Sequence, residues 1–358
     1  MHGSKILYIL FIALVLSSCD KGINSVNNAE TVTPGRRDYI WTIDTLQLAD
    51  YHTFGANRIW GSGPTDIWLV GSASVSWDCI WHFDGTMWKK DSMQRNISPW
   101  ALFGFGKDNI WMGNANNSLW RFDGIQWSQF GTYLFPGYTS NMIMNIFGTE
   151  PNNVFALGIA VKNGGARGII MHYDGSQWSY LSLPDINVMF TDIAFISNST
   201  GSILTSSNIS IVSGHTDQSD GSTICRLYVY DGKTINELYA GNDFATVSQM
   251  NGEAYITLKR KLYKYADGKL ALWKDLSNTT FLGTVWGRNE HDFFSFAADG
   301  IGHFNGTNFE TIFSVPSNLQ VVTGTVLGDE VFFPCITQDE RLCVVVHGKL
   351  PKAETEPK

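Results

Sequence analysis

The apolar positions of this chain fall in short runs, many alternating with polar residues, and the runs end repeatedly in a glycine set beside an aspartate or asparagine. Runs of that kind read as short strands joined by tight turns, and no long amphipathic helical pattern interrupts them. The clearest unit spans Ile59 to Trp88. An apolar strand there ends in Trp60-Gly61, and five residues after the glycine Asp66 opens a second strand, Ile67-Trp68-Leu69-Val70. The same interval separates Gly104 from Asn109, Gly148 from Asn153 and Gly287 from Asp292. Glycine tolerates positive φ and an Asx side chain can bond its own backbone two residues on, so the spacing predicts a turn between antiparallel strands, with the glycine in the turn.

A third strand follows and ends at Asp84-Gly85, Asp123-Gly124, Asp174-Gly175, Asp231-Gly232, Asp267-Gly268 or Asn305-Gly306. These dipeptides are strong hairpin signals. Trp88, Trp127, Trp178 and Phe309 each lie three residues past such a glycine, so a unit reads as four strands with a large aromatic on the outermost. With His347-Gly348 taken as a degenerate seventh turn, the glycines are 39, 51, 57, 36, 38 and 42 residues apart. Four-stranded units with a period near forty predict an all-β, seven-bladed β-propeller. The blades are expected at 53–91, 98–131, 141–182, 188–239, 243–276, 280–314 and 318–348.

The last blade has only three strands of its own, near Val321 to Leu327, Glu330 to Ile336 and Leu342 to Val346. Its fourth is supplied by Tyr39 to Asp44, which precedes blade one, so the N-terminal strand is expected to close the ring and remove an open edge.

Ahead of that strand, Lys5 and the apolar run Ile6 to Leu16 lead to Ser17-Ser18-Cys19, the layout of a secretory signal. The run is too short to span a bilayer. Leu16-Ser17-Ser18-Cys19 also resembles a bacterial lipobox, which implies cleavage before Cys19 and lipidation of its thiol. Residues 1–18 are therefore expected to be a lipoprotein signal peptide, 19–38 a flexible tether and 39–358 the propeller. Retention in the outer membrane is expected over the inner.

Composition supports one ring: 44% hydrophobic residues, 35 glycines for turns and 13 tryptophans to fill the wedges between blades. A net charge of -8 argues against a nucleic-acid partner, which would need a clustered basic surface. The one dense basic run, Lys259-Arg260-Lys261, is expected to be a solvated turn. Of the cysteines beyond Cys19, Cys335 and Cys343 flank a hairpin loop and are expected to pair as a disulfide, whereas Cys79 and Cys225 fall in separate blades and read as buried small hydrophobes. No Cys/His spacing suits zinc, so neither metal nor cofactor is expected.

Loops joining strands two and three, and those joining successive blades, share one face of a propeller, and insertions concentrate there. That face carries Trp77, the Tyr133, Phe135 and Tyr138 group, and the longest insertion, Ser206 to Thr223, with His215 and Asp217. Aromatic rings beside amides and carboxylates suit a glycan or a protein surface; the competing reading, favoured because large rings seldom stay exposed without a partner, is that Tyr133, Phe135 and Tyr138 tuck back onto their blade. The segment His215 to Gly221 has two carboxylates and a glycine but lacks the further ligands of a calcium loop. The polar residue before the strand-three aromatic, at His82, Arg121, His172, Lys264 and His303, repeats around the ring, which points to a shared structural bond.

No Gly-x-Ser-x-Gly elbow or HExxH motif is present. Arg58 is the one arginine on an expected first strand, so the arginine set of sialidase-type propellers is missing. Ile59-Trp60-Gly61, Asp66-Ile67-Trp68 and Trp81-His82-Phe83-Asp84-Gly85 through Trp88 resemble a group of exported bacterial β-propeller proteins with repeated WGSxxxDIWxVG and HYDGxxW blades. The resemblance covers nearly all of residues 39–348 and implies the fold and an extracytoplasmic setting. It carries no single activity. The expected function is a lipid-anchored, non-catalytic binding or scaffold module of the cell envelope that recognises a protein or glycan. The alternative is a glycosidase or lyase with loop-borne carboxylates such as Asp185, Asp192 and Asp217.

Overall fold

A computed structural model describes residues 35–91, 93–196, 210–218 and 222–352. Within them the strands form seven antiparallel sheets, the blades of a seven-bladed β-propeller. Blades one to six each pair four strands in chain order, beginning with inner strands Phe54–Gly63, Pro99–Gly106, Ser140–Glu150, Met189–Phe195, Ala245–Met250 and Phe281–Asn289. Blade seven divides its inner strand into Leu319–Val321 and Thr325–Leu327, both paired with Glu330–Thr337, and continues through Cys343–Lys349. Its outermost strand is Ile40–Thr45, antiparallel to Cys343–Lys349 from Ile40 opposite Lys349 to Thr45 opposite Val344. The N-terminal strand thus closes the ring, as the sequence predicts.

The two glycine patterns serve different purposes. Gly85, Gly124, Gly175, Gly232, Gly268 and Gly306 all have φ between 77 and 95°, the conformation that favours glycine. Gly61, Gly104, Gly148 and Gly287 instead lie inside the inner strands, two positions before each end, without entering that region, a correction to the turn role expected for them. Their missing side chain makes room: a Cβ on Gly104 would lie 2.7 Å from the Trp60 ring of the preceding blade. Gly348 is not a turn either. It sits inside Cys343–Lys349 with the Trp41 ring packed over it.

Five of the six turns share a second device. The side chains of Asp84, Asp123, Asp174, Asp231 and Asn305 each accept two backbone N–H bonds from residues two and three positions on, as from Ser176 at 2.8 Å and Gln177 at 2.9 Å to Asp174. Donors aimed at a carboxylate favour its ionised form, and the Gln177 and Ser176 bonds hold Asp174 at about 2, below the ordinary 3.8. A depressed native pKa contributes stability above the unfolded value, and the contribution is lost as pH falls through the native one. The melting temperature is therefore expected to fall between about pH 4 and about pH 2. Asp174→Asn, which copies the uncharged Asn305, should flatten part of that fall in thermal melts followed by circular dichroism. An unchanged acid slope would overturn the assignment.

Aromatic rings fill the wedges between blades. Trp127 of blade two meets Trp68 of blade one edge-on at 5.5 Å, and Trp178 of blade three meets Trp111 of blade two at 5.3 Å. Large rings buried on both sides supply roughly 2–3 kcal/mol each, so the outer tryptophan of the repeat holds its blade to the one before. The polar residue that precedes the strand-three aromatic ties strand three to the Asx that opens strand two. His82 Nε2 lies 2.7 Å from Asp66 Oδ1, Arg121 Nε donates to Asn109 Oδ1 at 3.2 Å, and His172 and His303 pair likewise with Asn153 and Asp292 at 2.8 Å. Lys264 reaches across instead to Glu290 of the next blade at 2.8 Å. These histidines thus have the structural role that their repetition predicts.

Three expectations need correction. Residues 35–38 were expected to belong to the tether but lie along blade six: Gly35 donates to the Asn305 carbonyl at 2.9 Å, and Arg37 bonds Asn308, Glu310 and the His303 carbonyl at 2.7–3.0 Å. A guanidinium with five fixed donors suits such a clamp. The Lys259-Arg260-Lys261 turn is not wholly solvated, since Arg260 donates through Nε to the Phe281 carbonyl at 2.6 Å and pins blade five to blade six. Cys335 and Cys343 are free thiols. Cys335 lies opposite Val344 and Cys343 opposite Ile336, so the pair is out of phase by one residue and points to opposite faces of the sheet. Burial pushes the Cys335 thiol up to about 12 and Cys343 further still, as expected of inert buried hydrophobes.

Candidate functional site

The inner strands enclose a central channel of about 750 Å³. Because each blade contributes a different inner strand, the wall does not inherit the repeat's symmetry. On its wall Arg58 of blade one meets Asp192 of blade four at 3.3 Å. Asp192 also accepts from Asn145 at 3.0 Å and Ser213 at 3.3 Å, so its carboxylate is fully engaged. Hydroxyls from Thr191, Thr246, Ser248 and Thr284 line the remainder of the polar wall. Several are already committed, as where the Val285 N–H donates to Ser248 Oγ at 3.1 Å.

The channel opens on the face that carries the strand-two to strand-three loops. His215 and Asp217, at the end of blade four's second strand, stand at this mouth beside Trp100 and Phe244. Phe244 lies in the link from blade four to five and is 53% exposed. It also begins a second hollow of about 720 Å³ that runs outward along blades six and seven, floored by Phe296, Leu319, Val321 and Val322 and rimmed by Leu282, Val315 and Pro316. Leu282 is 43% exposed. Mouth and groove therefore form one continuous, largely apolar surface, and exposed apolar area of this kind marks an interaction site.

The other expected site residues lie elsewhere. Phe135 packs edge-on against Tyr138 at 5.4 Å and Tyr180 at 4.9 Å, with the Arg167 guanidinium 4.5 Å above its ring. Lys162 covers Tyr138 at 4.4 Å, and the Tyr133 carbonyl accepts from Tyr180 Oη at 3.0 Å. The group caps blade three, the alternative its sequence left open. Trp77 sits half-buried in a single 3-10 turn, Ser76–Asp78, with its ring centre 6.4 Å from His52; the neighbouring Asp78 is fully buried and bonded to His52 at 2.7 Å and Lys90 at 3.0 Å. Neither Trp77 nor the blade-three cap reaches the channel wall. Of the carboxylates considered for catalysis, Asp192 and Asp217 line the channel, whereas Asp185 is largely exposed, with its carboxylate 4.0 Å from Arg167 Nε. Among the described residues no three His, Cys, Asp or Glu side chains converge as a metal site. Cys19, the signal segment and Ser219 to Gly221 of the blade-four insertion lie outside the described residues.

Trp100, Phe244, Leu282 and the outer groove were not identified from sequence. Phe244 carried a usable signal: it is a large apolar residue in a blade link otherwise made of Gly, Asn and Asp.

No family model and no curated protein matches this chain. Solved structures do. A structure titled YCF48 bound to D1 peptide superposes with a TM-score of 0.60 at 12% identity, over 90% of this chain and 99% of that one. YCF48 from Cyanidioschyzon merolae gives 0.54 at 13%, over 87% and 99%. The WD40 β-propeller domain of Doa1 gives 0.54 at 9%, over 88% and 98%. At these identities the likeness is one of fold, and it is a likeness to propellers over nearly their whole length.

Proposed function

We propose that this chain is a lipid-anchored, non-catalytic binding module of the bacterial cell envelope, and that it receives a protein partner at the channel mouth. One observation carries the reading: Phe244 and Leu282 are exposed on a face where the channel and the apolar groove join. The ring supplies a rigid frame, and the asymmetry of the mouth supplies a specific surface. That one propeller of similar fold is titled as bound to a peptide supports a protein partner over a glycan. The lipobox-like Leu16-Ser17-Ser18-Cys19 supports the anchor and the envelope setting.

The test compares capture from envelope extract by the full-length chain, by Phe244→Asp with Leu282→Asp, and by Tyr133→Ala with Tyr138→Ala, read by quantitative mass spectrometry. A protein captured by the parent and by the blade-three variant, and lost from the mouth variant, is the expected result. Equal capture by the parent and the mouth variant, or recovery of saccharide alone, would overturn the reading.

A further inference from the structure

The charge of the mouth limits what can occupy it. The titratable side chains on the channel and groove walls are Arg58, Asp192, His215, Asp217, Cys225 and Asp299. Among the described residues Arg58 is the one permanent cation on these walls, and it pairs with Asp192 at 3.3 Å. Asp217 accepts from Thr223 Oγ1 at 2.9 Å and Asp299 from Thr311 Oγ1 at 2.5 Å, and neither joins an ion pair among the described residues. Elsewhere on the chain acids are commonly matched, as Asp243 is with Lys259 at 3.1 Å and Asp275 with Lys261 at 2.7 Å. Among the described residues the binding surface thus carries two carboxylates without a cation, Asp217 on the channel wall and Asp299 on the groove wall, and Phe244 belongs to both walls.

Resting on the proposed role of the mouth in protein binding, we propose that the occupant is a peptide segment with a lysine or arginine flanked by apolar residues. Its cationic group sits between Asp217 and the Phe244 face, and its apolar neighbours lie along the groove over Leu282, Val315 and Pro316. A long basic side chain suits this arrangement because its stem packs on apolar surface while its head meets the carboxylate, with a further attraction to the aromatic face. An acidic segment would bring like charges together at Asp217 and Asp299 with no free cation to receive it.

The experiment is selection from a random dodecapeptide display library on the detergent-solubilised full-length chain, followed by fluorescence anisotropy with the enriched peptides. Enriched sequences are expected to share a basic residue beside apolar ones. Asp217→Asn should weaken such a peptide by up to about fivefold, the range for a solvent-accessible pair. Replacing the peptide's basic residue by glutamine should weaken it similarly on the parent and add little on Asp217→Asn. Affinity should also fall as salt rises. An unchanged melting temperature for Asp217→Asn would show that folding is intact, and Asp299→Asn gives a second variant for the same comparison. Enriched peptides that lose binding on Phe244→Asp but carry no cation, or that ignore Asp217→Asn and Asp299→Asn, would overturn the charge assignment while leaving the mouth as the site. Peptides that bind Phe244→Asp and the parent alike, or no enrichment at all, would overturn both.

Discussion

A chain that begins at residue 47 is expected to melt more than about 10 °C below the parent, or to aggregate, because it leaves the edge of blade seven unpaired. The closing strand forms a six-residue ladder with Cys343–Lys349. It also brings Trp41 to 5.0 Å from Phe313 and the buried Tyr39 ring edge-on to Phe294 at 5.6 Å. Its loss strips blade seven of a ladder and the joint between blades six and seven of two rings. A chain that begins at residue 39 separates the strand from the strap ahead of it. Among the described residues that chain loses the Gly35 bond to Asn305 and the polar contacts of Arg36 and Arg37, and its melting temperature should fall by no more than a few degrees. Calorimetry on both truncations makes the comparison. Equal stability of the parent and the chain from residue 47 would sink the closure.

Trp111→Ala should lower stability by about 3–5 kcal/mol, the range for deleting a fully buried large ring. Trp111 has no exposed surface and touches three rings, Phe130 at 4.8 Å, Tyr173 at 5.0 Å and Trp178 at 5.3 Å, the last two in the next blade. For a domain of this size the loss corresponds to roughly 5–8 °C in melting temperature, from the usual unfolding entropy per residue. Trp111→Phe is the informative partner. The indole N–H finds no hydrogen-bond acceptor, so phenylalanine keeps much of the ring contact and removes an unsatisfied donor. It should cost less than about half as much as alanine. Denaturant titration decides, and equal losses for the two variants would show that the contact between blades is not carried by the ring.

The fold was legible because each blade repeats a few residues whose chemistry forces local geometry. The Asp-Gly and Asn-Gly turns need positive φ at the glycine, five of the six add a capping Asx side chain, and their spacing around forty counts the blades. The closing strand was legible for the opposite reason: blade seven lacked a partner and Tyr39 to Asp44 had none of its own. The strap was missed because Gly35 to Asp38 has no apolar pattern, and Arg37 finds its partners some 270 positions away. The disulfide failed on parity, since one residue of register decides which face a strand side chain takes and sequence does not fix the register of a hairpin loop. The site was least legible. Its walls come from residues that repeat nowhere, such as Arg58, Asp192 and Phe244, each supplied by a different blade or link. The conspicuous aromatic cluster at Tyr133, Phe135 and Tyr138 proved to be held down by Arg167, Lys162 and Tyr180.

The closing ladder also sets an order of events. Ile40 leaves the ribosome about 300 positions ahead of its partner Lys349. Loop-closure entropy grows only slowly with length, so the finished ring is not much weakened by that separation. Time is the greater cost: the first strand of the domain must wait unpaired until Cys343–Lys349 has been made. Ile40 and Ile43 stay largely exposed even after it docks, so during the wait the segment is an uncovered, partly apolar edge with no native mate yet made. Ring completion is therefore the last long-range step of folding. Until then the vulnerable part of the molecule is the unpaired strand Ile40–Thr45.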